Sequence, residues 1–173
     1  MTICRKTTRL LLLVLIPLLG LSACRPKEVD LPFETIEQGD WGNAGYAYEA
    51  HRPTLMVITR ATEVMELDDW ITLDAQTQLQ ALDYDAYFAV VVFQGWKATT
   101  GYKVQVDHIA LSGNVINVHA QFLEPKPEEE KAPEATSPYH LVTVQRAKTW
   151  DQDITFNLVV DEVVVVSLSR HVP

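Results

Sequence analysis

Cysteine is nearly absent: Cys4 and Cys24 are the two in 173 residues, and nothing after residue 24 carries a thiol. That removes disulfides, thiolate metal sites and cysteine nucleophiles from residues 25–173, so a fold there must stand on its apolar core. Basic residues are scarce too, with 14 Lys and Arg against 23 Asp and Glu, a formal charge of −9. Nucleic acid is therefore not an expected partner, because neutralising phosphates needs clustered Lys and Arg. The five histidines (His51, His108, His119, His140 and His171) never form H-x-x-x-H or H-E-x-x-H, and no G-x-S-x-G elbow occurs. The EF-hand loop with its central Gly and closing Glu is missing as well. No catalytic residues, metal site or cofactor are expected, and the chain reads as a non-enzyme.

What is present begins at the N-terminus. Arg5, Lys6 and Arg9 precede Leu10–Gly20, a stretch that is apolar apart from Pro17 and too short to span a membrane as a helix. Leu21-Ser22-Ala23-Cys24 follows and resembles the bacterial lipobox, in which the cysteine sulfur receives lipid and the peptide is cut just before it. The resemblance implies a signal peptide over 1–23, lipidation of Cys24 and a tether over 24–32. The domain is then held on the extracytoplasmic side of a membrane in the cell envelope. Two or more acyl chains hold firmly where one binds marginally. Removing residues 1–23 leaves 11 Lys and Arg against 23 Asp and Glu, a charge of −12, which disfavours lying flat on anionic lipid.

Residues 33–173 are expected to form one mostly-β, α+β domain: an antiparallel sheet or sandwich with a small N-terminal helical insertion. Gly39-Asp40 and Gly42-Asn43 mark turns, and Pro53–Thr59 alternates as a strand with Leu55 and Val57 on one face. Val64, Leu67 and Ile71 recur at helical spacing within and just past Thr62–Trp70, and Asp74–Leu82 predicts a second helix. Ala86–Phe93 is a continuous apolar run, the signature of a central strand covered on both faces. Tyr102–Leu111 and Val115–Leu123 flank Ser112-Gly113-Asn114, a hairpin signal. A three-residue loop pairing Leu111 with Val115 puts Val104, Val106, His108 and Ala110 on the inner face and sets Gln105 against Gln121 and Asp107 against His119. Glu124–Pro138 carries four prolines and Glu128-Glu129-Glu130, so a solvated loop is expected. Strands resume at His140–Lys148, Ile154–Val160 and Glu162–Arg170, where the run Val163–Val166 predicts another central strand.

Possible chemistry reduces to a few features. Asp107 opposite His119 reads as a cross-strand ion pair before it reads as a catalytic dyad. His108 on the inner face reads as a hydrogen-bonded core histidine. Asp68-Asp69 and Asp83/Asp85 suit helix ends and turns. Trp41, Trp70, Trp96 and Trp150 read as packing residues, with a glycan or small-ligand platform as the alternative.

One stretch carries a family resemblance. Tyr84-Asp85-Ala86-Tyr87-Phe88-Ala89-Val90-Val91-Val92-Phe93, followed by Gln94-Gly95-Trp96-Lys97-Ala98-Thr99-Thr100-Gly101-Tyr102-Lys103-Val104-Gln105-Val106, resembles the PrcB C-terminal domain family, named for an accessory subunit of a bacterial surface protease complex. That family has a hydrophobic strand, a Gly-x-Lys-Pro-Thr-Gly-Gly-Tyr turn and an alternating strand. Gly95, Lys97, Thr99, Gly101 and Tyr102 match the turn, while Ala98 replaces the proline and Thr100 the first glycine of the pair. Ser137-Pro138-Tyr139-His140-Leu141-Val142 is similar to the family's closing segment, so the resemblance covers residues 84–146. It implies a protein-interaction domain, with another extracytoplasmic protein such as a protease as partner. The implied contacts are Trp96, Lys97, Thr99, Thr100, Gly101, Tyr102, Pro138 and Tyr139. Ala98-Thr99-Thr100-Gly101-Tyr102 also looks like the Asn-Pro-Thr-Thr-Gly-Tyr loop of chagasin-type protease inhibitors, which implies a rival function as an inhibitor. The preceding Asn-Pro is absent here.

Overall fold

Alternating and continuous apolar runs of the kind just described leave β-sheet as the way to bury most of this chain. The computed structural model describes residues 27–40, 50–147 and 150–173. The signal segment, Cys24, the Gly42-Asn43 turn and Trp41 lie outside the described residues. Nine strands are described: β1 (Val29–Asp30), β2 (Phe33–Gly39), β3 (Thr54–Ile58), β4 (Tyr87–Phe93), β5 (Lys103–Ser112), β6 (Val115–Leu123), β7 (Tyr139–Gln145), β8 (Gln152–Val160) and β9 (Val163–Val172). A 3₁₀ helix (Ala61–Leu67) and α1 (Leu73–Gln80) lie between β3 and β4. The fold is the expected mostly-β, α+β sandwich with its small helical insertion.

One sheet runs β2-β7-β4-β3 and the other β1-β5-β6-β8-β9. Their facing sides enclose the main core, in which Val90, Val92, Val142, Val104, Val118, Phe156 and Trp150 are buried. The four-stranded sheet is covered on its other face too. There Ala89, Val91, Phe93 and Leu141 pack under Val64, Leu67, Ile71 and Leu79 of the helical insertion. Thr72 caps α1 by accepting the Ala75 N–H at 3.3 Å, and its own N–H and hydroxyl donate to Glu37 on β2. The outer face of the five-stranded sheet carries no such cover among the described residues.

Three expectations are corrected. The β5–β6 turn has two residues, with Ser112 opposite Val115 and positive φ on Gly113. A bulge at Asp107 then restores the Gln105–Gln121 pairing. The extra residue turns both Asp107 and His108 outward, so His108 pairs with His119 and is not a core residue. Second, the sheets are not wholly antiparallel: β8 lies parallel to β6, because the chain crosses to the other sheet for β7 before returning. Third, Val163–Val166 lies in β9, an edge strand, where Val163, Val164 and Val165 are 60%, 51% and 43% exposed.

Polar side chains close both lateral sides of the sandwich. On one side Gln38 donates to the Val104 carbonyl, and Val106 N–H donates to His140 Nδ1 at 2.8 Å. His140 Nε2 therefore carries the proton and faces Thr35 Oγ1 at 2.8 Å. Burial pushes the His140 pKa down, against the opposing charge of Asp107, and the ring is neutral. On the other side Glu63 of the 3₁₀ helix accepts from Thr59 N–H at 2.7 Å and pairs with Arg60 and with Arg170 of β9. Burial pushes the Glu63 carboxyl up, but the Thr59 N–H and the two arginines outweigh it and hold the carboxyl below its ordinary value.

Candidate functional site

β4 and β7 end side by side, Phe93 opposite Tyr139, so the segments beyond them meet at one end of the sandwich. Gln94 N–H donates to the Pro138 carbonyl at 2.9 Å. Gly95 follows with φ +92°, and a Cβ there would lie 3.0 Å from the His51 backbone, so glycine lets the chain pass. Trp96 donates its N–H to Ala50 at 2.8 Å, sets its ring edge-on to His51 at 5.3 Å, and stays 36% exposed.

From Lys97 onward this segment is laced to the proline-rich loop. Lys97 and Thr136 exchange both backbone hydrogen bonds, at 2.8 and 2.9 Å. Thr136 Oγ1 donates to the Thr99 carbonyl at 3.1 Å, and Thr100 N–H donates to the Ala132 carbonyl at 3.1 Å. The Thr100 hydroxyl accepts from Ala132 N–H at 3.0 Å. The far part of the loop, expected to be solvated throughout, is thus fastened down at Ala132 and Thr136, while residues 126–131 are exposed. Gly101 takes φ +99°, and a Cβ there would stand 2.8 Å from Pro125 Cβ. Positive φ falls on Gly101 and not on Thr100, which is how the chain tolerates threonine at that position. Lys97 Nζ then lies 5.0 Å from the centre of the Tyr102 ring, a contact worth about 0.5–1 kcal/mol at an exposed site.

Beside this turn lies a cleft of ≈ 400 Å³ lined by Gln38, Gly39, Asp40, Gly101, Tyr102 and Lys103. Burial, joined by the charge of Glu134, raises the Asp40 pKa against its own backbone hydrogen bond and Lys103. The Asp40 carbonyl accepts the Ser137 N–H at 2.9 Å, which joins β2 to the same end. Tyr139 is 1% exposed; burial, then its hydrogen bond with Glu37, drives its phenol well above the ordinary range. Of the sequence candidates, Trp96, Lys97, Thr99, Thr100, Gly101 and Tyr102 come together at the surface. Pro138 and Tyr139 are brought to the same place but lie buried beneath.

The other candidates separate. Asp107 sits in the bulge with its carboxylate accepting from Gln105 at 2.9 Å, while His119 faces the His108 ring at 5.3 Å. Among the described residues no hydrogen bond or ion pair joins Asp107 to His119, though both border one cleft. Trp150 is buried against Phe88, and Trp70 packs on the second core far along the sequence from Trp96. Asp83 makes a turn, its carboxylate accepting the Asp85 N–H, as its sequence context predicts. The reading by sequence missed Gln38, Asp40 and His51 as parts of this end. They lie some 45 to 65 residues before the turn and carry no local motif; only strand pairing brings them there.

No curated protein and no solved structure matches the chain. A family model does, described as PrcB C-terminal, over residues 88–145, about a third of the sequence. That span contributes strands to both sheets, from β4 through β5 and β6 to β7, and contains the whole Trp96–Tyr102 and Ala132–Tyr139 assembly. Residues 88–145 are similar to the PrcB C-terminal family.

Proposed function

We propose that this chain is a lipid-anchored, extracytoplasmic domain that binds another protein without catalysis of its own, as an accessory subunit of a protease complex. The family supports an accessory protein-interaction role. The observation that carries the reading is the lacing of Trp96–Tyr102 to Ala132–Thr136. It presents Trp96, Lys97 and Tyr102 on a backbone already ordered before any partner arrives, which lowers the entropic cost of binding. Tryptophan and tyrosine are frequent binding hot spots.

The position of the tether supports the same reading. Val29 of β1 pairs with Leu111, at the opposite end of β5 from Lys103. Eight residues of strand separate the two ends, roughly 27 Å. Lipid on Cys24 stands five residues before Val29, a reach of at most about 18 Å. The anchor therefore holds the domain by one end and turns the Trp96 end away from the bilayer.

A photo-crosslinker placed at Lys97, and in a control at Ser167, tests this in native membranes. The expected result is a discrete adduct from position 97 that is absent from 167. Trp96→Ala should abolish it at an unchanged melting temperature. No specific adduct at 97 overturns the reading, and an adduct with a protease that loses activity on binding replaces the accessory role with the inhibitor role. Cys24→Ser should release the protein from the membrane fraction and end acyl labelling; continued labelling would sink the anchor.

A further inference from the structure

In an antiparallel pair, residues directly opposite each other either exchange both backbone bonds or turn both sets of groups away. Val104 and Val106 of β5 turn theirs away from β6, since the Val104 carbonyl accepts from Gln38 and Val106 N–H donates to His140. Phe122 stands opposite Val104, and Ala120 opposite Val106. Ala120 and Phe122 therefore direct their backbone groups to the other side of β6, where β8 runs. The β6–β8 register ends at His119 opposite Val159, and β8 closes at Val160 into the Asp161-Glu162 turn. Past that point the N–H and C=O of Phe122 face an open position in the sheet.

A cleft of ≈ 380 Å³ occupies this position, bordered by Phe122, Leu123, His119, Asp107, Asp161 and Glu162. Leu123 is 39% exposed beside it. The carboxylates of Asp107, Asp161 and Glu162 supply the charge, and among the described residues no Lys or Arg lines the cleft. Lys103, opposite Leu123, lines the cleft beside Gly101 instead. We propose that this notch takes an extended, basic segment of a partner protein as an added strand beside Phe122. Main-chain pairing would supply the affinity, and lysine or arginine side chains would meet Asp107, Asp161 and Glu162. This second contact lies at the same end of the sandwich but on the β8 side of β6, it uses none of the Trp96–Tyr102 residues, and its test does not depend on them.

The probe is a capped seven-residue peptide of alternating lysine and valine, with a glutamate–valine counterpart, titrated into the protein while backbone amide resonances are followed. The lysine peptide should shift the Phe122 amide and slow its hydrogen exchange. N-methylation of the peptide's central amides should abolish the effect, which separates strand addition from simple charge attraction. Asp161→Asn with Glu162→Gln should weaken binding about tenfold or more, consistent with two lost charge contacts, while Trp96→Ala leaves it unchanged. An unmoved Phe122 amide, equal binding of the glutamate peptide, or indifference to N-methylation overturns the proposal.

Discussion

Two runs of valine in this chain look alike in sequence and end in opposite places. Val90-Val91-Val92 lies in β4, fully buried, with one face on the main core and the other under the helical insertion. Val163-Val164-Val165 begins β9 at the rim of the five-stranded sheet and is largely exposed. A bulge between the Leu158–Val166 and Val159–Val164 pairs adds a residue there. Such bulges, like charged ends, blunt a free edge against unwanted pairing. An apolar run states that a strand can be buried on both sides; the order of strands in the sheet decides whether it is.

The contrast can be broken most forcefully at Val91. Val91→Asp puts an unpaired charge between the four-stranded sheet and the helices and should cost about 4 kcal/mol or more, a large fraction of the roughly 5–15 kcal/mol that holds an ordinary domain folded. Urea titration followed by tryptophan fluorescence reads it, and a cooperative transition near the wild-type midpoint would refute the two-sided burial. Next comes Arg170→Met, which removes the charged tie between β9 and the helical insertion. Its expected cost is about 1.5–3 kcal/mol at pH 7. Glu63 has a lowered pKa, so its contribution is present above its unfolded value and lost as pH falls through the folded one. The gap between wild type and Arg170→Met should therefore narrow as pH falls below the ordinary carboxyl value of 4.5 and through the lower folded one, and a gap that persists once Glu63 is protonated assigns the cost to lost packing instead.

His140 sharpens the comparison at the opposite side of the sandwich. Its pKa is lowered by burial, so the unfolded chain takes up a proton first as the medium turns acid. The stability it contributes is complete above the unfolded value, near 6.5, and declines as pH falls from there toward the folded value. Melting temperature should drop between pH 7 and pH 5, and the drop should be smaller in His140→Asn. Parallel curves for the two proteins would contradict the buried neutral ring. The smallest effect belongs to the exposed run: Val164→Asp should change stability by less than about 0.5 kcal/mol in the same urea experiment. A large loss there would mean that something covers β9.

Much of the fold was legible because it is written in local pattern. The β4 run and the alternation in β3 each specify a strand with a covered face, and each is found; the spacing of Val64, Leu67 and Ile71 yields a 3₁₀ helix that stops at Leu67, with Ile71 buried beyond it. The hairpin at Gly113 was legible in place but not in register. A two-residue turn and a bulge at Asp107 differ from a three-residue loop by compensating slips, and sequence pattern between Val104 and Val106 fits both. That ambiguity is what sent His108 inward in the sequence reading and outward in the structure. The turn residues of the site were legible through Gly95, Lys97, Thr99, Gly101 and Tyr102, while Gln38, Asp40 and His51 had no signal of their own.

By itself the sequence determined the chemistry available to this protein. It has almost no thiol, an acidic surface, β-rich apolar runs and a glycine-bearing turn resembling a known family, because composition and short-range periodicity are properties of the chain alone. Only the tertiary structure decided which run became centre and which became edge, and that the Trp96 segment is laced to the proline-rich loop. It also decided that β8 stops short of Phe122. Each of these depends on pairings between residues tens of positions apart, whose free energy comes from burying two surfaces together and leaves no mark in either segment taken singly.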